Sequence, residues 1–166
     1  MKTNIMAGAL ALAFSAAVMA DDRLVRFDGG IGEIPVSSTT GTTTTANVVR
    51  GVSPGGQPWV ISRLSADIRT DGHISVDGRG LLIAGGNSIG TNAGQSVLAR
   101  LSCQVPASNP ATFTAHDSGA VALDAAGDFR IDDVLSPLPP EPCNNPALLI
   151  LNGTGQRWFA AGIPKQ

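Results

Sequence analysis

Residues 62–79 read Ser-Arg-Leu-Ser-Ala-Asp-Ile-Arg-Thr-Asp-Gly-His-Ile-Ser-Val-Asp-Gly-Arg, and their pattern decides the fold class. Leu64, Ala66 and Ile68 alternate with Arg63, Ser65, Asp67 and Arg69, while Ile74 and Val76 alternate with His73, Ser75 and Asp77. A period of two belongs to a strand with one buried face. A two-residue Asp71-Gly72 turn would set Ile68 opposite Ser75 and mix the faces. A three-residue loop, Thr70-Asp71-Gly72, sets Ile68 opposite Ile74 and Ala66 opposite Val76. It also puts Gly72 where a left-handed residue is wanted. The spacing predicts a hairpin in that register.

The same arithmetic applies at 121–131, where Val121 and Leu123 are expected opposite Ile131 and Phe129 across an Ala125-Ala126-Gly127 loop. Residues 96–104 place Val97, Ala99, Leu101 and Cys103 on one face. Residues 147–151, Ala-Leu-Leu-Ile-Leu, are apolar throughout, as suits a central strand covered on both sides. A first strand is expected from Leu24, one over the β-branched residues of 42–49, and a last one over 157–161. No stretch keeps a 3.6-residue apolar period, and 20 Gly and 11 Pro supply turns. Residues 21–166 therefore read as one all-β domain, an antiparallel β-sandwich or closed β-barrel of about eight strands.

Residues 1–20 read as an export signal and not as part of the fold. Lys2 gives a basic start, Ile5 to Val18 is apolar, and Val18-Met19-Ala20 presents small residues for cleavage after Ala20. The apolar run is short of the ~20 residues a membrane span needs, and no span is expected after its removal. The expected location is secreted or periplasmic. In that setting Cys103 and Cys143, the only two cysteines, are expected to form a disulfide. They lack the close pairs of a zinc site. A formal charge of -2 and scattered arginines exclude a nucleic-acid surface.

Two long loops frame the chemistry. Residues 84–94 are rich in Gly and Asn; residues 136–146 hold five prolines and should form a stiff arm that Cys143 pins down. The first loop contains Gly86-Asn87-Ser88-Ile89-Gly90, a G-x-S-x-G match in which Ser88 would be a nucleophile, with His73 or His116 as base and Asp71 or Asp117 beside it. Composition alone produces about 0.2 such matches, no helix start follows, and a surface histidine at a turn is expected at both positions. Asp132 and Asp133 should point to opposite faces, and Asp124, Asp128 and Glu141 form no calcium loop, so no metal or cofactor is expected. Trp59 and Trp158 are candidate ligand-binding aromatics, with core packing as the competing role. Asn152-Gly153-Thr154 is a glycosylation sequon in a eukaryotic host.

Gly32-Glu33-Ile34-Pro35-Val36-Ser37-Ser38, followed by Gly41-Thr42, resembles the opening of chordin-type domains, which implies an all-β order like the one read above. Their His-x-His segment has no counterpart here, since His73 and His116 stand apart. The whole chain also resembles a family of small exported bacterial β-proteins that share the Val49 to Val60 segment and the Trp-Phe-Ala-Ala-Gly-Ile-Pro segment at 158–164. Neither resemblance implies a functional residue. The sequence places a binding or structural module with an extracellular or periplasmic ligand first. A small-molecule-binding barrel with the 84–94 loop at its mouth comes second, and a secreted hydrolase using Ser88 third.

Overall fold

The computed structural model describes residues 22–165, so the expected leader and its cleavage point lie outside the described residues. Among the described residues there are strands, turns and loops and no helix. The strands are β1 (Arg23–Gly32), β2 (Val36–Thr40), β3 (Thr43–Ala46), β4 (Ser53–Pro54), β5 (Trp59–Val60), β6 (Arg63–Arg69) and β7 (His73–Arg79). They continue with β8 (Leu82–Ile83), β9 (Ser96–Gln104), β10 (Phe113–Asp117), β11 (Val121–Ala122), β12 (Phe129–Val134), β13 (Ala147–Asn152) and β14 (Arg157–Lys165).

Ten of these form one sheet, eight of them along the antiparallel path β10-β9-β13-β14-β1-β6-β7-β12, with β11 on β9 and the short β4 parallel to β14. The sheet curls until its ends meet. Asp117, at the end of β10, and Ser136, just past β12, exchange N–H···O bonds of 3.0 and 2.9 Å. The result is a barrel-like all-β domain. Its inside is filled by Phe27, Leu64, Ile68, Ile74, Leu101, Ile131, Leu148 and Ile150, all in one buried cluster. Each such side chain stabilises the fold by roughly 1.5–3 kcal/mol relative to exposure.

The β6–β7 hairpin has the register the alternation dictates, with Ile68 opposite Ile74, Ala66 opposite Val76 and Gly72 at φ 84°. On β9, Val97, Ala99, Leu101 and Cys103 are all fully buried. β13 is covered on both sides. Leu148 and Ile150 face the interior, while Leu149 and Leu151 join Leu98 and Trp158 beneath Val49 and Val52 of an overlying segment.

The second hairpin is a correction. Its turn forms, with Asp124 N–H on Asp128 O and Gly127 at φ 76°. Its arms then part: β11 pairs with β9, and β12 pairs with β7. No ladder pairs Leu123 with Phe129, although both side chains are buried in the same cluster. The Phe129 ring lies on Gly78, where a Cβ would come within 2.1 Å of it. The expected strand at 42–49 is also different. Residues 36–46 form a separate β2–β3 hairpin, fully exposed, turning at Gly41-Thr42.

Cys103 and Cys143 are bonded, which fixes the proline arm to β9. The arm's near end is held by Leu135 N–H on Gly72 O at 2.9 Å, with Leu138 packed against Gly72.

Candidate functional site

β1 passes from the sheet into an acid. Glu33 N–H donates to Phe159 O at 2.9 Å, and Trp59 N–H donates to Glu33 O at 3.0 Å, so the residue is fixed between β14 and β5. Gly32 makes that passage possible, because a Cβ there would lie 2.1 Å from Trp59 O. The Glu33 side chain is 0% exposed, and neither Oε1 nor Oε2 has a hydrogen-bond partner. Oε2 lies 3.0 Å from where a Cβ on Gly55 would be, with Phe159 Cε1 and Trp59 Nε1 at 3.2 and 3.3 Å from the same point. The Trp59 and Phe159 rings stack with centroids 4.1 Å apart.

Burial pushes the Glu33 carboxyl up to about 8. The Gly55 N–H dipole offsets only part of this, since that N–H is directed to Trp158 O at 3.2 Å. At neutral pH the group is therefore mainly an uncharged acid.

Gly55, beside this carboxyl, and Trp59 and Phe159, bonded to the Glu33 backbone, also line an open pocket of about 350 Å³. Gly56 and Gln57 continue the wall on the Gly55 side. Ile83, Ala93 and Gln95 close another side, and Asn152 and Arg157 stand at the β13–β14 turn. The glycine-rich 84–94 loop thus borders the pocket through Ala93, outside the filled interior. Arg157 is the one charged residue in this lining, and its Nη1 donates to Pro54 O at 3.3 Å. The lining therefore offers amide groups that donate and accept, one cation, and an apolar edge from the stacked rings.

Of the residues singled out from sequence, the structure brings one to this pocket. Trp59 is buried and lines it by an edge; Trp158 is buried in the outer cluster, with Nε1–H on Asn47 O at 2.9 Å. Ser88 lies in the 84–94 loop, where its carbonyl accepts from Thr91 N–H and Oγ1–H at 3.2 and 2.8 Å. No base is bonded to its hydroxyl. His73 Nε2 is 3.2 Å from Asp132 Oδ1, and its backbone N–H is held by Asp71 Oδ1 at 2.9 Å. His116 corrects the expectation of a surface histidine at a turn. It is 3% exposed within β10, with Nδ1 2.7 Å from Pro137 O and Nε2 2.8 Å from Thr114 Oγ1. The proline arm covers it, which the local sequence does not show. Asp117 holds Arg100 through two contacts of 2.6 Å.

Asp124, Asp128 and Asp133 are occupied by backbone or arginine. Asp124 Oδ1 accepts from Ala126 and Asp128 N–H, and Asp128 holds Arg79 and Gly80 N–H. Asp133 accepts from Gly119 N–H at 2.7 Å, away from Asp132. Glu141 lines a separate pocket of about 300 Å³ beside Pro140, Pro142 and Val105. Among the described residues no three His, Cys, Asp or Glu side chains group to hold a metal. Asn152 of the sequon caps its own turn, accepting from Gln156 and Arg157 N–H.

Sequence reasoning passed over Glu33. The signal was present: it is one of only two glutamates, set between glycines and Ile34-Pro35 in an otherwise apolar approach. Comparison of the chain with protein-family models, curated proteins and solved structures finds no match.

Proposed function

We propose that the protein is an exported binding module that takes a small polar ligand in the pocket beside Glu33. The observation that carries this reading is the fully buried carboxyl with no partner, its Oε2 against Gly55 of the pocket lining. An unpaired buried acid destabilises a fold, and an apolar side chain would serve better as core alone. Such groups cluster at functional sites. The amides of Gln57 and Gln95 and the guanidinium of Arg157 suit a ligand bearing hydroxyl or carboxylate groups.

The disulfide is compatible with an oxidising compartment, and among the described residues no helix is long and apolar enough to cross a membrane. Both agree with export directed by residues 1–20. The interior packed with side chains favours this surface pocket over a ligand held inside the barrel. A hydrolase using Ser88 lacks an activating base.

Amide NMR of labelled protein against mixtures of sugars, sugar acids and amino acids tests the reading. Shifts are expected at Gln57, Gln95 and Arg157, with Arg157→Ala weakening binding about tenfold or more, the loss of a charged hydrogen bond. If every ligand that binds shifts residues elsewhere, or none binds, the pocket is not the site.

A further inference from the structure

The chain that covers the Glu33 carboxyl is the least constrained part of its surroundings. It is the turn joining β4 to β5, anchored at one end by β4 on β14 and at the other by Ala84 N–H on Pro58 O at 2.7 Å. Between those anchors stand Gly55 and Gly56. A Cβ on Gly56 would meet nothing within 4 Å, so that residue has open space around it. The contacts that hold this stretch down are long: Gly55 N–H to Trp158 O at 3.2 Å and Arg157 Nη1 to Pro54 O at 3.3 Å. Two successive glycines also give the backbone a wide choice of conformations.

No charged side chain acts on the Glu33 carboxyl where it lies. β5 and the 55–58 turn carry no titratable group. On β14, Arg157 is turned to Pro54 O, and Lys165 is paired with Asp28 of β1 at 2.9 Å. No charged group acts on the carboxyl; burial and the Gly55 dipole alone set its state. A neutral acid tolerates an apolar cover, whereas an unpaired carboxylate must find water or donors.

We propose that Glu33 is a proton-operated latch on this pocket: neutral, it lets the Gly55–Gly56 turn lie over it, and ionised, it draws in water, lifts the turn and dismantles the pocket wall. The stacked Trp59–Phe159 pair is the rigid side and the glycine turn the side that yields. This deepens the binding reading and rests on it: ligand is held at acidic and neutral pH and released in alkaline solution, around and above pH 8.

Carboxyl-labelled glutamate makes the test direct, because the chain has only two glutamates and Glu141 is exposed. Glu33 and Glu141 give two NMR signals to follow between about pH 6 and pH 9.5. The amide signals of Gly55 and Gly56 and the Trp59 indole are expected to move with the Glu33 midpoint. Hydrogen exchange at both glycines should rise at least about tenfold beyond its intrinsic pH dependence. In Glu33→Gln the same signals should hold still. A Glu33 carboxyl that titrates while the turn stays fixed overturns the latch, as does the same transition in Glu33→Gln. The wild-type titration decides alone if the variant does not fold. Failure of the binding reading looks different: the latch then moves with pH, but no ligand shifts Gln57, Gln95 or Arg157. Ligand bound there with pH-independent affinity over a static turn would leave the site standing and remove the latch.

Discussion

One unpartnered acid gives the whole molecule a dependence on pH. The Glu33 carboxyl rises from 4.5 to about 8 on folding, so between these values the unfolded chain ionises while the folded one does not. Its contribution is fully present below about pH 4.5, declines as pH rises through about 8, and is level beyond. Denaturant midpoints at pH 5, 7 and 9 should fall in that order, and Glu33→Gln should flatten the slope. The acid limb belongs to other residues. Asp77 and Asp128 are held down first by hydrogen bonds from Arg79, and Asp133 first by Gly119 N–H, so their contribution is lost as pH falls through the ordinary carboxylate range and below. These pairs are exposed and add little each. Gly32 is the backbone counterpart of Glu33: Gly32→Ala drives a Cβ onto Trp59 O and should cost about 3 kcal/mol or more, read by thermal unfolding.

Local alternation carried most of the element reading, and it failed where pairing depends on distant chain. The β6–β7 register and the inward face of β9 follow from a period of two and a glycine placed last in its loop. The 121–131 segment has the same local signature, yet β11 pairs with β9, and β12 pairs with β7, where Gly78 leaves room for the Phe129 ring. Nothing between 121 and 131 encodes that glycine. β10 was hidden for a related reason. Phe113-Thr114-Ala115-His116-Asp117 has no apolar alternation, and it is a strand because β9 offers an edge. Glu33 was missed because the β1 bulge between Phe27 and Gly30 breaks the count of faces before the acid is reached. β13 offers a test of double coverage. Leu149→Ala and Ile150→Ala remove side chains from opposite faces, and each should cost about 2–5 kcal/mol in denaturant unfolding. A strand with one wet face would show that loss on one side only.

The main sheet and one disulfide tie the described residues together. Replacing Cys103 and Cys143 with serine should lower stability by roughly 3–4 kcal/mol, the chain-entropy value for a loop of 40 residues, without altering the Trp59 environment across the molecule. Ser88→Ala, in a loop, should stay within about 0.5 kcal/mol. The pairing of β1 with β14 has a further consequence in time. Arg26 lies opposite Lys165 and Gly32 opposite Ala160, so β1 finds one of its two neighbours only when β14 has been made. Contacts of such long sequence separation make for slow folding, in the millisecond-to-second range of all-β domains. A nascent chain ending near residue 156 would leave β1 and β13 each with a bare edge, vulnerable to protease until β14 appears. The arrival of β14 is therefore the event that closes both of these edges at once.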